Sequence, residues 1–493
     1  MLNIIPRPVK VEILSKGTYD YSQYDISRKY VLDMKPNSYK LEINEKGIFL
    51  EASDERGFHY GAQTVAQIAA SGKMPNVLIY DEPRFNYRGF MLDCCRHFFT
   101  VEEIKKIIDL ISYLKFNIFH WHLTEDQGWR IEISRYPLLT KIGSKRDQTL
   151  GDGIPVEGYY TKDQIREVVE YAKSKHIDII PELDVPGHFS AAIAAYPFLS
   201  CDGQKAEVKE CFGIFEDVMC AGKEDSYRFF KNVLQEVFEL FPYEYIHLGG
   251  DEALRIKWLE CFDCQKTIKD NNLKNEEELQ AFMMNRLAKF CKENGRKVIN
   301  WNDGLYGDNV SDNITVHYWR TQKADIEASK KHVNAGKDLI MSPFFHYYLD
   351  YPYGMTPLRK TFKFNPVPKW LNDESRLLGV EAPLWTEYVK DFDKIMYQTF
   401  PRLLAVAERG WSPWHTNYKD FETRAKGISE CLVNKYGYNF AKFKEVNPRG
   451  LFRLKSLKKF YKQIDIERGK ESLARVNKNK RMLNQKYSEE NKK

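Results

Sequence analysis

Two adjacent carboxylates, Asp251 and Glu252, are the feature of this sequence that most directly suggests chemistry. They lie in the run from His247 to Ala253, where a short apolar strand leads into two glycines. Like charges a few ångströms apart raise one pKa, and apolar surroundings raise it further, so one acid stays protonated near neutral pH while its neighbour stays ionised. The pattern favours acid–base cleavage of a glycosidic bond. An acidic turn that caps the next helix would place the same residue types there.

The elements that must position this pair follow a regular order. From Tyr87 onward, short apolar strands alternate with longer amphipathic helices, which is typical of a parallel α/β architecture. The predicted strands cover residues 89–93, 117–123, 177–183, 245–248, 297–301, 314–319, 338–342 and 378–384. Eight such strands close a (β/α)8 TIM barrel.

Polar or aromatic residues follow nearly every predicted strand. They are Arg96, Glu125, Asp126, Asp184, His188, Asp251, Glu252, Trp301, Asp303, Trp319, Tyr348, Asp350, Trp385 and Glu387. The loops after the strands of a TIM barrel converge on one face, where catalytic residues gather from distant parts of the chain. The alternative, an open doubly wound sheet, would need a glycine-rich phosphate loop, and the sequence contains no G-x-G-x-x-G.

We predict three segments from these patterns. Residues 1–83 form a small α/β domain with a helix over 57–70, residues 84–416 form the catalytic barrel, and residues 417–493 form a helical, basic C-terminal segment. Residues 453–493 hold 14 Lys or Arg and 5 Asp or Glu, whereas the whole chain has a net charge of only +6. The main domain therefore has no basic surface for nucleic acid, and we predict no nucleic-acid partner.

Cysteine usage and the N-terminus indicate a compartment. The cysteine count is nine, an odd number, and the chain lacks the basic start and apolar core of a signal peptide at its N-terminus. We expect reduced thiols in the cytoplasm. Cys261 and Cys264 form one C-x-x-C, but no second pair stands at zinc-ribbon spacing, so we interpret them as free or structural and expect no metal or cofactor. No apolar run is long enough for a membrane span, which predicts a soluble protein, and a homodimer stays open.

Seven motifs in order along the barrel region resemble one family, the β-N-acetylhexosaminidases of glycoside hydrolase family 20. The matching runs are 88–98 (RGFMLDCCRHF), 120–130 (HWHLTEDQGWR), 186–188 (PGH), 247–253 (HLGGDEA), 301–303 (WND), 348–350 (YLD) and 384–387 (LWTE). The small N-terminal domain is also similar to the one that precedes the barrel in this family. The resemblance implies an exo-acting, retaining enzyme that removes terminal β-linked GlcNAc or GalNAc from oligosaccharides or glycoconjugates.

The resemblance also implies a division of labour between the two acids. Glu252 is implied to be the general acid and base, and Asp251 to hold the 2-acetamido group of the substrate. In this family the acetamido oxygen itself attacks the anomeric carbon, so an oxazolinium intermediate forms without an enzyme nucleophile.

The remaining site residues are implied in the same way. Trp301, Trp319 and Trp385 are implied to enclose the acetamido group, with the Tyr348 hydroxyl on its carbonyl. Sugar hydroxyls are implied to be bound by Arg96, Asp350 and Glu387. The residues implied to support the acid are Glu125, Asp126 and His188, although the family often has aspartate where Glu125 stands.

Two other functions stay in view. His120 and His122 form an H-x-H on one strand, as in metal-dependent hydrolase barrels, but those barrels carry the pair on the first strand and further histidines on the fifth and sixth. Here the pair lies on the second predicted strand, and the fifth has none. A non-catalytic sugar-binding module could use the tryptophans alone, but the Asp251–Glu252 pair argues against it.

Overall fold

The computed structural model describes residues 2–19, 25–70, 72, 74–464 and 466–490. Met1 and residues 491–493, which the predicted first and last segments include, lie outside the described residues. Within the described ranges, a small sheet unit is followed by a closed barrel and then by helices.

The N-terminal unit is a mixed sheet with a helix on one face. Its strands are Lys10–Tyr19, Ile26–Tyr30, Tyr39–Asn44, Gly47–Ala52 and Met74–Asp81, and the first strand pairs with the last. The predicted helix spans Glu55–Ala69 and begins after Asp54, whose side chain accepts a hydrogen bond from the Gly57 N–H. Alternating side chains of the two central strands pack under this helix and form a core of their own.

Eight parallel strands close into a barrel in chain order, so the predicted TIM barrel is confirmed. Barrel strands 1 to 8 are Tyr87–Asp93, Ile118–His122, Asp178–Glu182, Tyr245–His247, Lys297–Trp301, Ile314–Tyr318, Leu339–Met341 and Leu377–Leu384. Two-residue strands pair in the loops after strand 2: Thr124–Glu125 with Gly128–Trp129, and Lys145–Arg146 with Val156–Glu157.

Helices cover the outside of the barrel. They are Val101–Tyr113, Leu138–Lys141, Lys162–Ser174, Ser190–Ala195, Glu224–Leu240, Ile256–Glu260, Phe262–Asp270, Glu276–Glu293, Lys323–Asn334, Phe344–Tyr347, Leu358–Lys363, Phe392–Thr399 and Arg402–Trp411. Short 3-10 helices span Pro197–Leu199, Asn302–Gly304 and Glu374–Arg376. The helices after strands 1 and 2 start at capping boxes, with Thr100 and Glu103 in one and Thr161 and Gln164 in the other. Strand 5 is followed by the 3-10 helix Asn302–Gly304 instead of a long helix.

The barrel interior has an apolar layer and, above it, a polar layer. The apolar layer lies at the N-terminal ends of the strands and consists of Tyr87, Ile118, Ile180, Tyr245, Ile299 and Ile340. The next inward positions carry His120, Glu182, His247, His317 and Glu381, all fully buried. Successive inward residues of a strand are two positions apart, so strands 2, 3 and 4 contribute to both layers.

A buried ion pair joins the N-terminal unit to the barrel. The Lys115 Nζ lies 2.8 Å from the Asp81 Oδ2, and the Trp411 indole N–H donates to the other Asp81 oxygen. Because both Lys115 and Asp81 are fully buried, the two units share one interface. The assigned segment limits at 83 and 416 stay predictions.

The C-terminal segment consists of the helices Tyr418–Tyr436, Gly450–Tyr461 and Ile466–Glu490. The first of them ends at Gly437, whose φ of 69° is left-handed. None of the helices in the described residues is both long enough and apolar enough to cross a bilayer.

Candidate active site

The loop after strand 4 carries Asp251 and Glu252 to the top of the barrel. Gly249 and Gly250 have φ values of 61° and 95°, which side-chain-bearing residues rarely adopt. A Cβ on Gly249 would lie 1.8 Å from the Asp184 Oδ1, so only glycine lets the chain turn against that carboxyl. Glu252 itself has a φ of 48°. The two glycines and this unusual backbone therefore set where both carboxylates point.

Burial gives the two carboxyls different acidities. It raises the pKa of Asp251 to about 6, and Asp303 adds to that rise while His188 opposes it. Burial raises the pKa of Glu252 to about 7, with Asp251 and Asp303 acting in the same direction and Arg320 against it. Between these values Asp251 is ionised while Glu252 retains its proton, which is the combination an acid and a charged partner need.

Asp251 has one oxygen available for a ligand. Its Oδ1 is buried and accepts no hydrogen bond from any described residue. Burial and the neighbouring Asp251 charge raise the pKa of Asp184 well above its usual value, and the Asp184 Oδ1 accepts the Gly250 N–H. A buried acceptor without a partner is costly, so the position of Oδ1 favours binding of an N–H group.

His188 lies between the Asp251–Glu252 pair and a second acidic pair. Its Nδ1 is 3.0 Å from the Glu125 Oε1 and 3.5 Å from the Asp126 Oδ2, while its Nε2 is 3.7 Å from Asp251 and 3.8 Å from Glu252. The carboxylates raise the pKa of His188 well above the usual range of an imidazole. Arg96 and His188 in turn hold the pKa of Glu125 far below the usual range of a carboxyl group. His188 is therefore a fixed cation that stabilises negative charge on Asp251.

The Arg96 guanidinium is held in the site by several acceptor groups. Its Nη2 lies 2.5 Å from the Glu125 Oε1, its Nε donates to the Gln127 side chain, and its guanidinium stacks 4.9 Å from the Trp385 ring centre. Its charge also acts against the burial that raises the pKa of Glu387. Arg96 and Glu387 are thus brought to the same side of the site.

Asp350 reaches the same side from the loop after strand 7. Its Oδ1 is buried without a hydrogen-bond partner among the described residues, and burial together with Glu387 raises its pKa well above the usual value. A cavity of about 730 Å³ is lined by Asp350 and by residues of the helix Gly450–Tyr461. Asp350 is the only one of the predicted site residues that lines this cavity.

The aromatic residues line the wall between these groups. Trp301 is fully buried, donates its indole N–H to the Glu182 Oε1 and lies with its ring centre 6.0 Å from that of Trp385. Trp319 stacks at 5.9 Å on Tyr348, whose ring is 6.4 Å from Trp385. Every predicted site residue therefore lies in one cluster at the C-terminal face of the barrel, and the roles assigned to them stay predictions.

A buried network beneath this cluster was missed by sequence reasoning. The Glu182 carboxylate accepts from the His122 Nδ1 at 2.6 Å and lies 2.9 Å from the His247 Nδ1, and Glu381 holds the His120 Nδ1 at 2.8 Å. Two sequence features could have indicated inward-facing polar residues. His120 and His122 are two positions apart in one strand, and Glu381 is the one acidic residue in strand 8. Both histidines of the H-x-H thus have carboxylate partners inside the barrel.

Arg320 and Asp303 were also left out of the predicted site. The Arg320 Nη1 lies 3.1 Å from the Asp303 Oδ2, and Asp303 accepts hydrogen bonds from the Trp319 indole N–H and the Glu252 backbone N–H. Asp303 followed a predicted strand, which was a usable signal. Arg320 follows Trp319 directly, and its role depends on a contact that the sequence does not reveal.

The comparisons with known proteins agree with this geometry. Residues 85–414 match the family described as glycosyl hydrolase family 20, catalytic domain, and residues 22–82 match glycosyl hydrolase family 20, domain 2. The chain belongs to glycosyl hydrolase family 20. The predicted resemblance is therefore confirmed, and with it the class of glycoside hydrolase.

Several family 20 relatives are similar over most of this chain. A beta-hexosaminidase from Porphyromonas gingivalis is 40% identical over 436 residues, which are 83% of this chain and 55% of that protein. One from Akkermansia muciniphila is 33% identical over 89% of this chain and 92% of its own length. A crystal structure of a beta-N-acetylhexosaminidase superposes with a TM-score of 0.84 at 31% identity, covering 91% of this chain and 99% of that one. The chain thus spans about half of the first relative and nearly all of the other two.

Proposed function

We propose that this protein is an exo-acting, retaining β-N-acetylhexosaminidase that hydrolyses terminal, non-reducing β-linked GlcNAc or GalNAc from oligosaccharides or glycoconjugates. The observation that carries the proposal is the unpartnered Asp251 Oδ1 beside Glu252, whose pKa burial raises to about 7, next to the aromatic side chains of the site. The names of the relatives, beta-hexosaminidase and beta-N-acetylhexosaminidase, support the same substrate class.

The first step uses the substrate as its own nucleophile. The acetamido carbonyl oxygen attacks the anomeric carbon while Glu252 donates its proton to the leaving oxygen and the glycosidic bond breaks. Asp251 accepts the amide N–H at its free oxygen and stabilises the positive charge that develops on the oxazolinium ion. The Trp301, Trp319 and Trp385 rings hold the acetamido group under the anomeric carbon, which lowers the entropic part of the barrier.

The second step returns the proton. Glu252, now ionised, removes a proton from water, and the resulting hydroxide attacks the anomeric carbon from the side of the departed group. The bond between that carbon and the acetamido oxygen breaks, so the sugar is released with its original configuration. Arg96, Asp350 and Glu387 would bind the hydroxyls of the terminal sugar. An analogue that lacks one of these hydroxyls would leave a buried polar side chain unpaired and would therefore be rejected.

A pair of chromogenic substrates tests this function. We expect the aryl β-N-acetylglucosaminide to be hydrolysed and the matching aryl β-glucoside, which has no acetamido group, to be essentially inert. Comparable turnover of the two would contradict substrate-assisted catalysis. Absence of turnover of the N-acetyl substrate between pH 4 and pH 8 would contradict the enzymatic function and favour a sugar-binding module.

We also propose that the protein works in the cytoplasm. Support comes from the nine cysteines, none of which is joined in a disulfide within the described structure. Fractionation of the native cell with an antibody to this chain tests the compartment, and light scattering of the purified chain decides between a monomer and a homodimer.

A further inference from the structure

Four cysteines from two separate segments of the chain meet beside the loops after strands 3 and 4. The sulfur atoms of Cys201, Cys220, Cys261 and Cys264 all lie within 4.8 Å of one another. Cys220, Cys261 and Cys264 are buried, and Cys201 is partly buried. We propose that these four thiolates form a structural zinc site.

The distances between the sulfurs fit a single tetrahedral ion. Cys220 Sγ is 3.7 Å from Cys261 Sγ and 3.6 Å from Cys264 Sγ, and Cys201 Sγ is 3.9 Å from Cys264 Sγ. Four ligands at the usual Zn–S distance of about 2.3 Å stand about 3.8 Å apart at the corners of a tetrahedron. A disulfide needs about 2.05 Å, so none of these three pairs is joined.

The donor set restricts the choice among the common metals to zinc or iron. Four thiolates with no oxygen or nitrogen ligand suit Zn²⁺ or iron, whereas magnesium and calcium require oxygen. A closed set of four protein ligands leaves no open position for substrate, so the ion is structural. The partners of Cys261 and Cys264 are not a second C-x-x-C but two single cysteines, Cys201 and Cys220, which are 19 positions apart in the chain.

The site connects the two loops that carry His188 and the catalytic pair. Cys201 and Cys220 close the segment 200–223 after strand 3, in which the structure shows no helix or strand. Cys261 and Cys264 follow Glu252 in the connection after strand 4, Cys261 directly before the helix Phe262–Asp270 and Cys264 within it. A loop of this length without secondary structure is uncommon unless something closes it, and a metal clip removes most of its freedom.

Close packing between the two loops supports this connection. A Cβ on Gly222 would lie 2.2 Å from the Asp263 backbone carbon, so the chains touch directly beside the cluster. The Met219 N–H donates to the Pro186 carbonyl, and the Trp258 indole N–H donates to the Met219 carbonyl. Because Pro186 is two residues from His188, the zinc would hold the support of the catalytic pair in place.

Metal analysis of the full-length chain tests the proposal. The protein is purified under reducing conditions without a chelator, and metals are measured by inductively coupled plasma mass spectrometry. We expect one equivalent of zinc, loss of most of it in Cys264→Ser, and full retention in the control Cys431→Ser, whose thiol lies far from the cluster in sequence and contacts the Ala70 carbonyl. Metal-free protein, stoichiometric iron or a disulfide within the four would overturn the assignment.

A second measurement on the unmodified chain covers the case in which Cys264→Ser does not fold. A mercurial reagent is titrated into the native protein while released zinc is followed with a colorimetric chelator. We expect zinc release that rises with thiol modification, followed by faster proteolytic cleavage within residues 202–219. Modification of these thiols without any release of zinc would overturn the proposal.

Discussion

The polar layer inside the barrel, here called the lower layer, and the candidate site above it, here called the upper layer, both bury carboxyl groups but to opposite effect. In the lower layer, Glu182 and Glu381 each meet imidazoles at 2.6 to 3.1 Å, and these contacts hold the pKa of Glu381 at about 2 and that of Glu182 well below its usual value. In the upper layer, burial raises the pKa of Asp251 to about 6 and of Glu252 to about 7.

The difference lies in the partners and not in the depth. A buried carboxylate surrounded by donors stays charged and supports the fold, whereas one left without a donor holds a proton or waits for a ligand. The carboxylates of the lower layer are already paired with imidazoles, although the buried Nε2 atoms of His122 and His317 have no hydrogen-bond partner among the described residues. The upper layer instead keeps two buried carboxylate oxygens, the Oδ1 atoms of Asp251 and Asp350, without partners among the described residues, which makes it the candidate for ligand binding.

The largest effect is expected from a substitution of Glu252, which is proposed to donate the proton in the upper layer. Glu252→Gln should lower kcat on substrates with poor leaving groups by about 10² to 10⁴, and should lower it less on activated aryl glycosides, because these need no proton. Steady-state kinetics on both substrate types measure the split. Glu260→Gln, an exposed change on the same loop, is the control. Equal losses on both substrates would point to another acid.

A change in the lower layer should instead act on stability. Glu182→Gln leaves His122 and His247 without their carboxylate, and removal of one partner of a buried ion pair costs about 3 to 5 kcal/mol of the free energy of unfolding. Urea unfolding followed by circular dichroism measures the loss. The exposed Glu170→Gln should leave the midpoint unchanged. A similarly unchanged midpoint for Glu182→Gln would remove the distinction between the layers.

Asp251→Asn tests the charged member of the upper pair. The amide cannot offset the positive oxazolinium charge, so kcat should fall by about 10² to 10³, while the free energy of unfolding changes little because the native carboxylate is already destabilised by burial. Kinetics and urea unfolding on the same preparation separate the two effects, with Asp393→Asn as the surface control. A large loss of stability would place Asp251 with the structural carboxylates.

The smallest expected effect is a shift in the pH dependence of kcat/KM, which compares the acidities of Asp251 and Glu252 directly. Activity requires Asp251 ionised and Glu252 protonated, so kcat/KM should rise as the pH increases toward about 6 and fall as it passes about 7. Arg320→Met should move the descending limb to higher pH, because the Arg320 charge lowers the pKa of Glu252. A limb that stays in place would show that Arg320 does not act on this acid.

Much of the fold was predictable because it depends on local patterns. The alternation of apolar strands with amphipathic helices gave eight strands whose positions differ from the observed ones by at most two residues at either end. The runs of family residues gave the site, since a barrel brings the ends of its strands together. Glu182, Glu381 and Arg320 were not predicted, because their effect depends on which side chains face them across the barrel.

The sequence by itself therefore determined the barrel, the family and the position of the Asp251–Glu252 pair, since strand period, helix period and the two glycines before Asp251 act within a few residues of chain. Only the tertiary structure decided which carboxylates meet an imidazole and which stay unpaired. It also brought Cys201 and Cys220 to Cys261 and Cys264 across 41 to 63 residues. Contacts over such separations depend on the path of whole loops, and no local pattern of residues encodes that path.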